Sequence, residues 1–392
     1  MIIYLIVLIL LLYLSVRYDI YEYTSGKELW FNTMLIIFIL IAGLRWRVGI
    51  DTTRYLYTFY YLRPKLEDFS FADYPIGTDP LWGLLNSAVK SFFGRFYVVQ
   101  LLHAAFVNIL IFKYIKRHSK YVFICLFFYA FTEYLNFNME VMRASMSIVV
   151  CLYANDYFQE RRWINGFGLL FVALLFHAQT ILLFTMPFLL FMRFNKVGII
   201  MLFVGFLMGI MVEYLIGDYF VYLIDNEAIQ EKALGYIESE HYGGEFGWMP
   251  IFTNFIPNML YALGALWFIK RNDPDNYILR FEPFVMFYCL FMMIKMNFRI
   301  AYRYVDYYQI YMIFLYSETF ILLVKKFWYR SKYTIAILVF VPMLIMRVNY
   351  YSKDKVYPRF FPYTSVLDRE TDRERETLFV LSGVRAANKN LY

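Results

Sequence analysis

Apolar segments recur along almost the whole chain and are separated by short clusters of basic residues. Each segment has about 15–20 residues, which is enough for a helix to cross the roughly 30 Å hydrocarbon core of a membrane. The composition agrees, because 61% of the 392 residues are hydrophobic and only 18% are charged, whereas soluble domains carry about 25% charged residues. The sequence therefore predicts an all-α, polytopic membrane protein that folds as a bundle of transmembrane helices.

Twelve segments are predicted to span the membrane, at 1–16, 29–44, 96–112, 121–132, 140–157, 164–176, 180–192, 197–212, 251–269, 281–297, 305–324 and 333–347. The segment 79–93 is shorter, contains Lys90 and is bounded by Pro80 and Gly94. We therefore expect it to lie on the membrane interface as an amphipathic helix and not to cross. The first segment lacks a basic start and a small-residue cleavage site, so it is interpreted as a spanning helix and not as a signal peptide.

Basic clusters set the predicted orientation, because loops on the cytoplasmic side carry an excess of Lys and Arg. If the twelve spans alternate, one side receives the basic clusters at 113–120, 159–163, 193–196, 270–280 and 325–332. That side is predicted to be cytoplasmic, and both termini then lie outside. The loop 213–250 falls on the outer side and carries eight acidic residues but only one lysine.

The domain organisation is predicted to be simple. Residues 1–347 form a single transmembrane domain with outer loops at 45–95 and 213–250, and residues 348–392 form a tail on the outer face. The charged stretch after residue 366 is interpreted as a solvated helix or a disordered end. The net charge of +7 comes from the basic clusters and does not indicate nucleic-acid binding. The three cysteines lie in apolar segments without metal-ligand spacing, which predicts buried thiols.

One basic cluster departs from the orientation rule. The stretch "GLRWRVGIDTTRY" (43–55) follows an apolar run and places Arg45, Arg47, Asp51 and Arg54 on the predicted outer side. Pairing with acidic neighbours, or snorkelling to the interface, explains any single arginine. For the set, convergence on a phosphate is a more specific explanation, because the guanidinium fork matches phosphate oxygens.

Two more groups of polar residues interrupt apolar segments near predicted outer helix ends. Glu140 and Arg143 open one helix three residues apart, so they either form a salt bridge or Glu140 orients Arg143 toward an anionic head group. His177 and Gln179 interrupt the stretch 174–183, where His177 is either a satisfied core residue or part of a site beside the arginines. A charged side chain near the membrane centre costs at least about 2.5–3.5 kcal/mol, so charged residues there commonly mark function.

A third group lies late in the chain. The segment 295–311, "KMNFRIAYRYVDYYQIY", places Arg299 and Arg303 four residues apart and adds tyrosines that include Tyr304. Tyrosines at such a boundary form an aromatic belt, or they contact a sugar ring beside a phosphate that the arginines hold. The motifs of P-loop nucleotide-binding proteins, serine hydrolases and zinc proteases do not occur in the sequence.

Four blocks of the sequence resemble one known family. "RWRVGIDTTRYLYTF" (45–59) resembles the R-x-x-x-G-x-D-x-x-x-Y signature of EpsG-type exopolysaccharide polymerases, a Wzy-like family. Residues 136–184 resemble the long central motif, in which an Arg opens one helix and the next helix ends in Phe-His. Residues 299–308 and 357–367 are similar to its late Arg/Tyr region and its Tyr-rich segment after the last helix. The resemblance spans roughly residues 1–367, but Ala144 stands where the family commonly has Gln.

The resemblance implies a GT-C-like membrane glycosyltransferase in the bacterial cytoplasmic membrane, with its active site facing the periplasm or the outside. Such an enzyme polymerises undecaprenyl-diphosphate-linked oligosaccharide units into O-antigen or exopolysaccharide, by transferring the growing chain to the non-reducing end of a new unit. Its expected partners are the lipid-linked oligosaccharide, membrane lipid, a flippase and a chain-length regulator. No cofactor is expected, and no obligatory metal ion, because a single outer Asp gives no coordination set.

The implied transfer needs a group that holds the diphosphate, a base for the acceptor hydroxyl and the alignment of two lipid-linked substrates. Asp51 is the first candidate base, because the resemblance places it at the acidic residue of the first outer loop in GT-C relatives, and His177 is the second. The candidate diphosphate-binding residues are Arg45, Arg47, Arg143, Arg299 and Arg303. The further candidates for substrate contact are Tyr55, Glu140, Gln179 and Tyr304.

Two other functions remain open at the level of sequence. A transporter or flippase for lipid-linked sugars places charged residues along a crossing path and often contains inverted repeats, whereas the unusual charges here concentrate on one face and no repeat is visible. An O-antigen ligase shares the architecture of a polymerase, so only the product separates the two. The acidic loop 213–250 either shapes the choice of acceptor or acts as a lid.

Overall fold

The computed structural model describes residues 2–73, 79–215, 256–295, 301–327, 351–353, 356–369 and 372–377. Within these ranges the regular elements are helices, and β-type pairing is confined to an isolated bridge between Arg45 and Ser365. The predicted all-α class is confirmed. The chain divides into two compact units, the first formed by Met1–Phe184 and Leu323–Tyr392 and the second by Thr185–Leu322.

Eight helices form most of the first unit. They are α1 (Ile2–Ser15), α2 (Lys27–Gly43), α3 (Ile50–Tyr57), α4 (Pro80–Phe92), α5 (Phe96–His118), α6 (Val122–Thr132), α7 (Met142–Gln159) and α8 (Trp163–Phe176). Three π-helical segments, Val16–Ile20, Thr58–Leu62 and Asn136–Glu140, extend or interrupt them, and a 3₁₀ segment, Ala178–Leu189, follows α8. The amphipathic segment expected at 79–93 corresponds to α4.

A helix lies at each predicted span except 333–347, which is outside the described residues. Four helical stretches in the described part are long and apolar enough to cross a membrane: Ile2–Ile20, Phe96–His118, Tyr277–Lys295 and Tyr302–Lys325. Shorter apolar helices include Val122–Thr132 and Trp163–Phe176. These helices are compatible with an integral membrane protein, and the number of twelve crossings stays a prediction.

The core of the first unit is aromatic and is formed by packed helix pairs. Helix α2 packs against α5, α7 against α8 and α1 against α6. Phe38 of α2 is buried and places its ring 5.2 Å from that of Phe112 and 4.5 Å from that of Tyr134. Such ring pairs add stability beyond the area that they bury.

A closed ring of polar side chains fixes the π-helical segment before α7. Asn108 donates to Asn138 over 2.7 Å, Asn138 donates to Tyr129 over 3.0 Å, and Tyr129 donates back to Asn108 over 3.2 Å. All three side chains are fully buried. Because each member is satisfied, the ring links α5, α6 and the segment Asn136–Glu140 without leaving a buried donor or acceptor unpaired.

The segment that follows α2 is held in place by the C-terminal part of the chain. The backbone N–H of Trp46 donates to Thr364 O over 2.8 Å, and that of Gly49 donates to Arg359 O over 2.9 Å. Gly49 has φ +94°, and a Cβ there would lie 2.1 Å from Met139 O. Only glycine therefore fits this close approach to the chain before α7.

Part of the charged tail is packed, in contrast to the solvated or disordered end expected after residue 366. Arg375 is 1% exposed and donates from Nε to Pro358 O over 2.7 Å and from Nη1 to Thr364 Oγ1 over 3.2 Å. Backbone carbonyls and a hydroxyl thus solvate the guanidinium in place of water. The tail from 378 onward lies outside the described residues.

The second unit contains α9 (Lys196–Leu215), α10 (Ile256–Asn272), α11 (Glu282–Lys295), α12 (Tyr302–Val305) and most of α13 (Gln309–Phe327). Helix α11 packs against both α9 and α10. Two buried carboxylates are satisfied within this unit. Glu282 pairs with Lys270, and Glu318 accepts from Asn276 over 2.9 Å and from Tyr277 over 3.0 Å.

Candidate functional site

Asp79 lies at the centre of a polar contact network in the first unit. It is the residue before α4 and has left-handed backbone angles, φ 58° and ψ 61°, which are uncommon for a residue other than glycine. Pro80 follows in the first turn of α4, where a missing N–H costs no helical hydrogen bond. Asp79 is only 3% exposed, so its carboxylate is surrounded by protein.

Three groups from three other elements contact the Asp79 carboxylate. Arg143 Nη1 donates to Oδ2, and the backbone N–H of Ala178 donates to Oδ1 over 2.8 Å. His177 places Nδ1 3.6 Å from Oδ1, which is an ion-pair distance when the ring is protonated. The set that we call the Arg143 cluster consists of Tyr55, Asp79, Arg143, His177 and Gln179.

These contacts determine the charge of Asp79. Burial acts to raise the pKa of this carboxyl, but the interactions with His177, Arg143 and the Ala178 N–H outweigh burial and hold the pKa below its ordinary value of 3.8. Asp79 is therefore a carboxylate at neutral pH. A carboxylate of low pKa is a weak base, so Asp79 is better suited to orienting its neighbours than to removing a proton.

Arg143 lies in the first turn of α7, directly after an interruption of the helix. The π-helical segment Asn136–Glu140 ends before Val141, whose ψ of 50° is not helical. Glu140 and Arg143 therefore do not share one continuous helical face, in contrast to the expected pair. Arg143 Nε donates to Tyr55 Oη over 3.4 Å, and its guanidinium carbon lies 5.6 Å from the centre of the Tyr55 ring. With 34% of its side chain exposed, Arg143 is both held in place and accessible to an anion.

His177 connects Asp79 to Gln179. It ends α8 with an extended backbone, φ −153° and ψ 115°, and the 3₁₀ segment Ala178–Leu189 begins at the next residue. His177 Nε2 lies 3.1 Å from Gln179 Oε1, while Nδ1 faces Asp79. A carboxylate beside one ring nitrogen orients the imidazole and leaves the other nitrogen for chemistry.

Asp51, the first candidate base from the sequence, borders the Arg143 cluster. It lies on α3, is half-buried and is near enough to interact electrostatically with Arg143 and with Tyr55. The direct contact with His177 that the structure shows comes from Asp79. The role of Asp51 as base stays a prediction.

Arg45 is buried and has a structural role. Its side chain is 0% exposed, Nη1 donates to Ala42 O, Nε donates to Val48 O over 3.2 Å, and Nη2 donates to Met142 Sδ over 3.2 Å. Glu140, a candidate for substrate contact, interacts electrostatically with Arg45. The expected contact of Arg45 with a diphosphate does not fit this placement, because the guanidinium has no accessible surface.

Arg47 lies away from the direct contacts of Asp79. Its Nη2 is 2.6 Å from Glu376 Oε2, and its φ of 53° is left-handed. The side chain lines a cavity together with Arg95 and Arg369. Arg47 thus remains accessible to an anion, but at a different place from Arg143.

The other residues that the sequence singled out belong to the second unit. Arg299 is outside the described residues. Arg303 lies on α12, where its Nε donates to Tyr302 Oη over 3.4 Å. Tyr304 is buried and stacks on Phe291 with ring centres 5.2 Å apart. The roles of these residues in substrate binding stay predictions.

Asp79 is the member of the cluster that the sequence analysis missed, because position 79 was assigned only as the start of an interfacial helix. One signal does point to it. An acidic residue directly before a proline at the start of an amphipathic helix lies in the predicted outer loop 45–95, on the same predicted side as Arg143 and His177. Among the described residues, no group of three His, Cys, Asp or Glu side chains has the arrangement of a metal site.

The comparison with known proteins agrees with the resemblance in the sequence. No curated protein and no solved structure matches the chain significantly. The model of the EpsG family matches residues 28–365, a range that includes every member of the Arg143 cluster. Because this range covers most of the 392 residues, the chain belongs to the EpsG family.

Proposed function

We propose that the chain is a membrane glycosyltransferase that polymerises oligosaccharide units carried on a lipid diphosphate. Membership of the EpsG family indicates a polysaccharide polymerase-like role. The observation that carries the finer proposal is the Arg143 cluster, in which an accessible guanidinium is held by a buried carboxylate beside a histidine. This combination provides a binding group for phosphate and a group that accepts a proton.

The proposed reaction exchanges one bond to the anomeric carbon for another. The bond from this carbon to the diphosphate oxygen breaks, and a glycosidic bond forms to a hydroxyl at the non-reducing end of the next unit. The electron pair of the broken bond leaves with the lipid diphosphate, and the hydroxyl proton passes to a base. The site must therefore stabilise the negative charge on the leaving group and provide a base that takes the acceptor proton.

Arg143 is proposed to stabilise the leaving diphosphate. Asp79 and Tyr55 fix its guanidinium on one side, while the exposed third of its side chain leaves donors for phosphate oxygens. An arginine that is fixed before the substrate arrives costs little reorganisation during the reaction. A lysine at this position would keep the charge but would lose the planar fork of donors.

His177 is proposed to accept the proton of the acceptor hydroxyl. The neutral ring is proposed to carry its proton on Nδ1, which faces Asp79, so that Nε2 accepts the proton of a substrate hydroxyl that displaces Gln179. Asp79 then supports the positive charge that the ring gains. Asp51 is proposed to support Arg143, because it interacts with this arginine electrostatically. Free aspartate is a weaker base than free histidine.

The wider setting of the reaction is also a proposal. The carrier is proposed to be undecaprenyl diphosphate, and the cluster is proposed to face the outside of a bacterial cytoplasmic membrane. Both follow from the family resemblance and from the basic clusters on the opposite predicted side. The product would be an exopolysaccharide or an O-antigen, and Arg299, Arg303 and Tyr304 are proposed to contact the sugar-diphosphate region of a substrate.

The direct test is polymerisation by the purified protein in proteoliposomes that contain a synthetic undecaprenyl-diphosphate oligosaccharide. The expected result is a ladder of chain lengths from wild type, no ladder from His177→Asn and a ladder from Asp51→Asn. Loss of the ladder only in Asp51→Asn would transfer the role of base to Asp51. A parallel reaction with chelator tests the need for a metal ion.

The same preparation separates the proposed polymerase from its competitors. A ligase would leave single units unjoined and would transfer a preformed long chain to an added lipid A core. A flippase would move the labelled lipid across the bilayer without forming a bond. Either result, with correctly inserted protein, would reject polymerisation.

A further inference from the structure

A cavity of about 70 Å³ lies in the first unit, between the start of α5 and the segment that follows α2. Arg47, Arg95 and Arg369 line it, and among the described residues that line it none is acidic. A single water needs roughly 10–15 Å³ of such volume. The cavity therefore has room for about five non-hydrogen atoms, which is the number in a phosphate group.

Two buried donors at this cavity have no acceptor. Gln100 of α5 is 3% exposed, and its Nε2 finds no hydrogen-bond partner among the residues that the structure describes. The same holds for the indole Nε1 of Trp46. Because a buried donor without an acceptor is unfavourable, these two N–H groups indicate a ligand that offers oxygen acceptors.

The electrostatics of the cavity favour an anion. Arg47 is paired with Glu376, whereas Arg95 and Arg369 make no side-chain hydrogen bond or ion pair within the described residues. Arg95 directly precedes α5, so the positive end of a 23-residue helix is directed at the same place. Backbone N–H groups and the dipole at a helix N-terminus add to the attraction for phosphate.

The surroundings of the cavity favour a lipid over a free ion. Tyr60 and Tyr97 both line the cavity and are exposed. Phe92 and Phe93, which come just before Arg95, are exposed as well. Exposed aromatic rings beside arginines are typical of the membrane interface, where apolar surface meets lipid tails and cations meet head groups.

Helix α3 separates this cavity from the Arg143 cluster. Thr52 and Leu56 line the cavity, whereas Tyr55 contacts Arg143 and Asp51 interacts with it electrostatically. Residues four apart share a face of a helix, so the two pairs occupy neighbouring faces of α3. The two sites therefore border neighbouring faces of one short helix.

We propose that the arginine cavity binds the phosphate-bearing head group of a membrane lipid, and that this lipid is the second diphosphate-linked substrate. The identity of the lipid rests on the proposed function, because a polymerase holds a donor and an acceptor that are both lipid-linked. The Arg143 cluster holds the leaving diphosphate of the donor. The cavity on the neighbouring face of α3 holds one phosphate group of the acceptor's diphosphate, while the sugar at the distant end of the acceptor reaches the reacting carbon.

Binding stoichiometry tests the proposal separately from catalysis. Full-length protein in nanodiscs is titrated with undecaprenyl diphosphate, and native mass spectrometry counts the bound copies. Wild type is expected to bind two copies, and the double variant Arg95→Gln/Arg369→Gln is expected to bind the second copy at least tenfold more weakly. Both changed residues are exposed, so the fold is expected to survive. Arg162→Gln, an exposed change directly before α8 and outside the cavity lining, is the matched control.

Competition identifies the source of the head group. If phosphatidylglycerol displaces the second copy as effectively as unlabelled undecaprenyl diphosphate does, the substrate assignment is wrong. If sodium diphosphate displaces it as effectively, the lipid assignment is wrong. Unchanged binding of two copies by the double variant would overturn the site itself. If wild type binds two copies but forms no polymer, the proposed function is rejected and the lipid site is retained. Failure of the function and failure of the site are therefore distinguishable.

Discussion

Two clusters in the first unit share four types of residue. The Arg143 cluster combines an aspartate, an arginine, a histidine and a tyrosine near the start of α7. Near the end of α7, Asp156 accepts from Tyr114 over 3.1 Å, lies 2.8 Å from His118 Nε2 and lies 3.6 Å from Arg117 Nη1. We call these four residues the Asp156 cluster. At 1.5 Å of rise per residue, the two clusters are about 20 Å apart along the helix.

The difference lies in the elements that supply the residues. The Asp156 cluster comes from two regular helices, α5 and α7, and Asp156 and His118 are 7% and 6% exposed. Arg117 is more exposed, but it is shared with a second carboxylate, Glu160, at 3.7 Å. The Arg143 cluster takes its residues from five separate elements, most at a helix end or a break, and leaves its guanidinium open. Residue types alone therefore do not identify the site. The site is identified by residues that lie at helix ends or breaks and by a guanidinium that solvent can reach.

The two histidines give the largest expected contrast. Replacing His177 with Asn removes the proposed base, and loss of a general base typically lowers the rate by about 10²–10⁴-fold. Replacing His118 with Asn removes a structural contact of Asp156, so polymerisation is expected to stay close to wild type once the protein has inserted. The measurement is the initial rate of polymer formation in proteoliposomes, corrected for folded protein. Equal losses in the two variants would contradict the comparison.

The arginines give the next largest contrast. Arg143→Lys keeps a positive charge but loses the fork that contacts Asp79 and Tyr55, and a loss of about 10²-fold in rate is expected, as for the removal of one transition-state donor. Arg117→Lys is the matched control and is expected to keep the wild-type rate. Wild-type behaviour of Arg143→Lys would show that a point charge suffices, and it would remove the argument from planar geometry.

The regular parts of this fold were predictable from the sequence, because they depend on long local patterns. The apolar runs predicted the helices, and "DPLWGLLNSAVKSFF" predicted α4 within one residue at each end. The interruption at Val141 was not predictable, because the ring of Asn108, Tyr129 and Asn138 that fixes it joins residues up to 30 positions apart. The packing of Arg375 was missed for the same reason, since its partners are carbonyl groups that no side-chain pattern reveals.

The site was predictable only in part. Arg143, His177 and Gln179 stand out because polar residues are costly in an apolar segment, and the structure brings all three together. Arg45 stands out for the same reason, yet it is a buried residue that binds backbone carbonyls. Asp79 does not stand out, because it lies in a polar loop where an aspartate is ordinary. The cost of burying a charge identifies unusual residues, but only the fold decides which of them face a ligand.

Asp79→Asn gives a smaller effect that depends on pH. The folded-state pKa of Asp79 is lowered below 3.8, so its charge stabilises the fold at pH values above 3.8, and this contribution is lost as the pH falls through the folded-state pKa. The variant is expected to be about 1–3 kcal/mol less stable than wild type at neutral pH. The difference should shrink below pH 4. Unfolding of both proteins in detergent between pH 3 and pH 7 measures it, and a difference that grows toward acid pH would contradict the assigned direction.

Asp156→Asn is expected to have the smallest effect on the reaction and a clear effect on stability. The amide still accepts from Tyr114, but the carboxylate that contacts His118 and Arg117 is lost, which predicts a loss of about 1–3 kcal/mol. The initial rate of the folded fraction should match wild type, because the Asp156 cluster lies about 20 Å along α7 from the Arg143 cluster. Thermal unfolding and the rate assay on the same preparation test both halves together. A large fall in rate at unchanged stability would show that the Asp156 cluster takes part in the reaction. The distinction between a structural Asp156 cluster and a ligand-binding Arg143 cluster would then be wrong.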